Sequence, residues 1–297
     1  MLASRKYPFT PELGWSVSRY NTFATCRRQY YYTYYTKFDR EHPASLIERL
    51  KQLTTVPMET GTAVHIIMAA VLERLSKSQS DINLQRLAGF VETEVQRRLN
   101  AARFAEVYYQ EAPAVVLPDL LPPVRACVRA FLDSPRYSWV RDEVMQPGRG
   151  NAWLIESADY GECRIAGHKA YCKVDFAAVV EGQLTIVDWK SGRRDDAKTA
   201  HQLLAYAAWA VHEQGFTPSQ VRTVAAYLQP EYGEVVGQPS TADVAAFVEQ
   251  MQAQVEQMRA YCANPDQNTP HGKEAFPQTE NATVCRHCCF RQLCDRA

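Results

Sequence analysis

The 297-residue sequence has no apolar run approaching the roughly 18 residues that a membrane span requires. Its first residues, MLASRKYPFTPELGW, have no apolar h-region of the kind a secretory signal carries. Both absences exclude an obvious membrane route and lead us to expect a cytoplasmic protein. Nor is there an excess of one charge: Lys plus Arg and Asp plus Glu are 33 each, so no global field draws polyanions to the surface. Internal repeats and low-complexity segments are also lacking, which excludes solenoids and arrays. With 46% hydrophobic and 22% charged residues, the chain has an ordinary globular composition. Its length allows one large core, so a single domain over 1–297 is expected.

Cysteine, in contrast, is unevenly placed. Four of the nine cysteines fall in the last thirteen residues, within CRHCCFRQLC at 285–294. Thiols in a reducing compartment are a poor disulfide framework, so a metal function is expected for some of them. Cys127, Cys163, Cys172 and Cys262 fit helix or strand patterns and are expected in the core. Local basic character also survives the neutral total: CRRQYYYTYYTK at 26–37 mixes cations with five tyrosines, and SGRR follows at 191–194. Cation plus aromatic suits a single-stranded backbone and its bases, and equally a tyrosine-rich helix packed on the core.

Helical spacing predicts helices over 16–37 and 59–76, the second with Val64, Met68, Val71 and Leu75 on one stripe. Helical patterns continue over 84–133, broken by EAPAVVLPDLLPP, and 77–150 reads as a helical insertion. WLIESA, ECRIAG, YCKVDFAAVV and QLTIVDWK then read as a small sheet. A helix is expected over about 197–214, strands near 221–228 and 234–236, and a helix over 241–262. A polar loop at 263–281 delivers the cysteine tail, 282–297.

The chemistry concentrates in YCKVDFAAVVEGQLTIVDWKSG. A two-residue turn at Glu181 and Gly182 places Asp175 directly across from Asp188, because opposed residues then sum to 363. Opposed residues share a face with Cβ atoms about 5 Å apart, a separation at which two carboxylates repel. A hard divalent cation, Mg²⁺ or Mn²⁺, removes that repulsion. Alternation puts Lys190 on the Asp188 side, where an ammonium can orient or deprotonate an attacking water and stabilise developing negative charge. A surface hairpin with a cross-strand salt bridge explains the same residues without a metal. Gln202 and Tyr206, four apart in AHQLLAYAAWA, share one helix face, and His65 in GTAVH is a further ligand candidate.

In this order the motifs resemble a RecB-type nuclease of the PD-(D/E)XK superfamily, in its iron–sulfur branch, which includes the AddB nuclease domain and the CRISPR-adaptation nuclease. The match runs through S-x-S-R-Y-x-x-x-x-x-C at 16–26, G-T-A-V-H ending at His65, Asp175, D-W-K at 188–190, Q-x-x-x-Y at 202–206 and the closing C-x₂-C-x₅-C. The resemblance implies an α/β, restriction-endonuclease-like core with a mixed central sheet flanked by helices. It implies metal binding by His65, Asp175, Asp188 and the Trp189 carbonyl, catalysis by Lys190, and positioning by Gln202 and Tyr206. It further implies a [4Fe–4S] cluster on Cys26, Cys285, Cys288 and Cys294, stapling distant segments together. Zinc is the competing metal, although Cys₄ zinc sites typically use two C-x₂-C pairs and this chain has one. Cys289 and His287 lie inside the ligand run as substitutes for Cys288, and Glu156 resembles an acidic family position behind the ligands.

The function so implied is metal-dependent hydrolysis of DNA, acting on ends or single strands, in repair, recombination or defence. The alternative is a non-cleaving DNA-binding subunit with an iron–sulfur or zinc staple. No Walker A pattern is present, so unwinding would fall to a helicase or other DNA-processing partner.

Overall fold

A computed structural model describes residues 2, 5–78, 80–156 and 161–294. Helices α1 (Val17–Thr25), α2 (Arg27–Tyr34), α3 (Val56–Lys77), α4 (Leu84–Ala101) and α5 (Leu117–Leu132) precede the sheet. Strands β1 (Ala152–Ile155), β2 (Phe176–Val180), β3 (Gln183–Lys190), β4 (Val221–Tyr227) and β5 (Gly233–Gly237) build it, with α6 (Asp196–His212) between β3 and β4 and α7 (Thr241–Arg259) after β5.

The five strands lie in sequence order across the sheet. All neighbours are antiparallel except β3 and β4, whose parallel pairing needs the crossover that α6 supplies. The sheet is therefore mixed, as expected. At the β2–β3 turn Glu181 and Gly182 have φ of 50° and 80°, the paired positive values of a type I′ turn. That turn sets the register Phe176↔Val187, and one step further along Asp175 stands opposite Asp188.

Period-two alternation divides the core. Ala177, Leu184, Ile186 and Ala225 face α6, α7 and the tyrosine-rich α2, whereas Phe176, Ala178, Val187, Trp189, Val224 and Ala226 face α3 and α5. Asp188 and Lys190 follow the even positions of β3 and lie on the α6 side. The helices of 77–150 extend the second cluster: Val91 and Val95 of α4 and Val124, Cys127 and Phe131 of α5 are buried there with α3.

Several boundaries differ from the sequence expectation. The helix expected over 16–37 is two helices, because Cys26 is extended (φ −157°, ψ 115°) and caps both. Its sulfur accepts the Gln29 N–H at 3.4 Å. ECRIAG and the start of YCKVDFAAVV do not join the sheet. Glu162–Ile165 pairs with His168–Tyr171 in a separate hairpin, closed by Ala166 and Gly167 at positive φ and flanked by Trp15, whose backbone bonds Lys169 and Tyr171. Local closure wins over distant pairing because the short loop costs little entropy. The expected break over EAPAVVLPDLLPP is only its first half, since Leu117 starts α5 with Pro118 in the first turn, where no N–H is missed. Helix α7 ends at Arg259, and Cys262–Asn264, from the expected helix end into the polar loop, pairs with Thr269–Pro270. Residues 157–158 of the WLIESA segment and 295–297 of the tail lie outside the described residues. Cys127, Cys163 and Cys262 are buried as expected, and Cys172 is half-buried.

Candidate active site

The β2–β3 register brings the two aspartates to the end of the sheet, both nearly buried: Asp175 is 9% exposed and Asp188 3%. Each is held differently. Asp175 Oδ2 accepts the Trp189 N–H at 2.8 Å, and its Oδ1 lies 3.1 Å from His65 Nδ1, presented by the middle of α3. Backbone N–H and C=O of one strand residue point the same way, so the Trp189 peptide edge faces Asp175. Asp188 Oδ1 accepts the Tyr206 hydroxyl at 2.7 Å and Gln202 Nε2 at 3.1 Å. Lys190 Nζ lies 2.6 Å from Asp188 Oδ2, at an angle outside hydrogen-bond geometry, so that oxygen is buried with an ion contact but no hydrogen bond. The ammonium instead donates to Gln202 Oε1 at 2.6 Å. Gln202 thus bridges Lys190, Asp188 and the Tyr206 hydroxyl, which it reaches at 2.8 Å.

Electrostatics follow from this crowding. Burial first, and then the charge of Asp175, raise the pKa of Asp188 against the opposing pull of Lys190 and the Tyr206 hydroxyl. Burial would lower the His65 imidazole, but its hydrogen bond to Asp175 and the charges of Asp175, Asp188 and Glu156 push it up to about 9. Burial, then Asp188 and Asp175, raise the Tyr206 phenol well above its usual range. The site is an acidic focus, which is the environment a divalent cation relieves.

Among the described residues, His65, Glu156 and Asp175 offer ligand atoms that all lie within 4.8 Å of one another. Glu156 is thus closer to the ligands than its sequence reading behind them implied. The β1–β2 register, Ile155↔Phe176, continues to Glu156 opposite Asp175, whose carbonyl accepts the Glu156 N–H at 2.8 Å. Glu156, Asp175 and Asp188 therefore form a row across three neighbouring strand ends. Lys173, unremarked in the sequence, sits 2.5 Å from Glu156 Oε1. No sequence signal fixes this pairing, because a separate hairpin intervenes between β1 and β2 and no tight turn sets their register.

The cysteine tail meets α2 on the first core cluster. The Arg28 N–H and guanidinium bond the carbonyls of Pro277 and Phe276, while Phe276 and Phe290 are buried against tyrosines of α2. Burial raises the Cys294 thiol to about 11, helped by the neighbouring sulfurs of Cys288, Cys26 and Cys285, with Arg28 opposing. Cys26, Cys285 and Cys288 thus each bear on the Cys294 thiol. The hydrogen bond between Cys288 and Cys289 raises the Cys288 thiol and lowers that of Cys289. His287 caps the short helix Ala282–Arg286.

If Gln202 holds Lys190 in place, Gln202→Ala should slow turnover by about tenfold, a milder loss than removal of the lysine itself, with an unchanged melting temperature. Tyr206→Phe should behave similarly. Wild-type rates in both variants would return the pair to packing roles.

A family model for the PD-(D/E)XK nuclease superfamily matches residues 14–295. No curated protein matches the chain. Among solved structures, the crystal structure of SSO0001 is similar at 14% identity and a TM-score of 0.30, covering 64% of this chain and 77% of that one, a likeness too low to carry an argument. Among the described residues no helix is long and apolar enough to cross a membrane. On the family match, which spans nearly the whole sequence, this chain belongs to the PD-(D/E)XK nuclease superfamily.

Proposed function

We propose that this chain is a metal-dependent deoxyribonuclease that hydrolyses phosphodiester bonds at DNA ends or in single strands, in repair, recombination or defence. One observation carries the reading: two nearly buried carboxylates, Asp175 and Asp188, stand across one strand pair with Lys190 on the same face. A purely structural hairpin gains nothing from desolvating two like charges.

The donor set of one imidazole and hard carboxylate oxygens, with Asp188 Oδ2 buried and lacking a hydrogen bond, fits Mg²⁺ or Mn²⁺. His65, Asp175, Asp188 and the Trp189 carbonyl would hold it, with Glu156 joining them. Such a cation polarises a phosphoryl oxygen and makes water a better nucleophile. The protein's own part is electrostatic and positional. Gln202 and Asp188 fix the Lys190 ammonium, which stabilises charge developing on the phosphate and orients the attacking water. Tyr206 holds Asp188 in place from the buried side.

Cys26, Cys285, Cys288 and Cys294 would hold a [4Fe–4S] cluster, which would supply a covalent staple and no chemistry that hydrolysis requires. A helicase or other partner would deliver unwound substrate.

The test is incubation of the pure protein with end-labelled linear duplex, circular duplex and single-stranded DNA, with Mg²⁺, Mn²⁺ or EDTA. Linear or single-stranded DNA should be degraded with either metal and persist in EDTA. Binding without cleavage under every condition would replace the nuclease by the non-cleaving subunit.

A further inference from the structure

A groove of about 560 Å³ runs between α1, the start of α6 and α7. Tyr20, Asn21 and Thr25 form one wall, Lys198 and His201 a second, and Gln250 a third. Among the described residues no carboxylate lines it, although acids and bases are equal in number over the chain. The side chains of Asn21, Lys198 and Gln250 make no hydrogen bond or ion pair with another described residue. Other cations of this surface are paired, Arg194 with Asp196, Lys173 with Glu156 and Arg125 with Glu92, whereas Lys198 is left open in the groove. Polar groups gathered in one groove and left unpaired are available to something else.

The groove and the site share α6. Lys198 lies one turn before Gln202 on α6, so the two share a side of the helix, and Gln202 holds Lys190. His201 stacks on Phe247 at 5.2 Å and Tyr20 packs on Phe23, leaving two rings at the groove. One cation, several amides and two rings, with no repelling acid, is the chemistry that accepts one phosphate of a single strand together with its bases.

Resting on the nuclease reading, we propose that this groove is the track for single-stranded DNA leading to the metal site, with Lys198 as a phosphate contact. On this reading α6 passes the strand from Lys198 toward Lys190.

The measurement is fluorescence anisotropy of a labelled single strand of roughly 20 nucleotides with cluster-containing protein in EDTA, over a series of NaCl concentrations. Removing one phosphate contact lowers the slope of log Kd against log salt by about 0.7 for a single strand, and Lys198→Gln should show that change. Lys198→Glu should weaken binding by about tenfold or more at low salt. Lys77→Gln, an exposed lysine on α3 outside the groove, should leave the slope as in wild type. A wild-type slope and Kd in both Lys198 variants overturns the proposal. Stronger displacement by duplex than by single strand overturns the assignment of the occupant. Hydrolysis of thymidine 5′-(4-nitrophenyl phosphate) with Mn²⁺ separates the two readings, because this small diester does not need the groove. Unchanged turnover in Lys198→Gln alongside its altered slope supports the track. If wild type cleaves neither the diester nor DNA yet the slope still falls, the nuclease reading fails and the groove stands.

Discussion

Asp188→Ala and Lys190→Ala should each reduce DNA cleavage by about a thousandfold or more, at unchanged cluster content and nearly unchanged melting temperature. Asp188 combines three constraints: it is 3% exposed, opposed to Asp175, and fixed by Tyr206 and Gln202. Its burial is unfavourable for folding, since burial and Asp175 both raise its pKa. Alanine there removes a desolvated like charge, so stability should hold or rise while activity falls. Lys190 has no apolar role to lose, being partly exposed and held at its tip by Gln202. Isothermal titration with Mn²⁺ separates the roles: Asp188→Ala should lose metal affinity, and Lys190→Ala should keep it while losing turnover. Cleavage by Asp188→Ala at the wild-type rate would overturn the site.

Cys26→Ala should bleach the brown colour of anaerobically purified protein as fully as Cys294→Ala, and lower the melting temperature by about 5–10 °C. Linking position 26 to 294 closes nearly the whole chain, for which loop entropy alone gives about 5 kcal/mol by analogy with a disulfide. That is a large share of an ordinary stability of about 5–15 kcal/mol. The loss should stay below the entropic figure in practice, because the tail has anchors of its own. Phe276 and Phe290 remain packed on α2, and Arg28 still bonds the Phe276 carbonyl. The tail should therefore become protease-sensitive before the sheet unfolds. Cys127→Ala, in the buried face of α5, should keep full colour. A brown Cys26→Ala with about four irons per chain would exclude Cys26 and direct attention to Cys289 or His287.

How much of this was legible beforehand depended on the distance over which each feature is decided. The sequence by itself determined the hairpin: Glu181-Gly182 requires a tight turn, the turn fixes the register, and the register places Asp175 opposite Asp188 and Lys190 beside it. Helical spacing likewise determined that Gln202 and Tyr206 share a face. Tertiary structure decided which groups those faces meet. Only the sheet order puts Glu156 against Asp175, because β1 and β2 are separated by a hairpin that sends Glu162–Tyr171 elsewhere. Only the packing of α3 against the sheet brings His65 within 3.1 Å of Asp175, and only the docking of the tail on α2 brings Cys26 toward Cys294. The break at Cys26 inside the expected long helix belongs to the same class. Local rules act through turns and periodicity over a few residues, whereas long-range pairing is chosen by burial of faces summed over the whole core, which no short window of sequence contains.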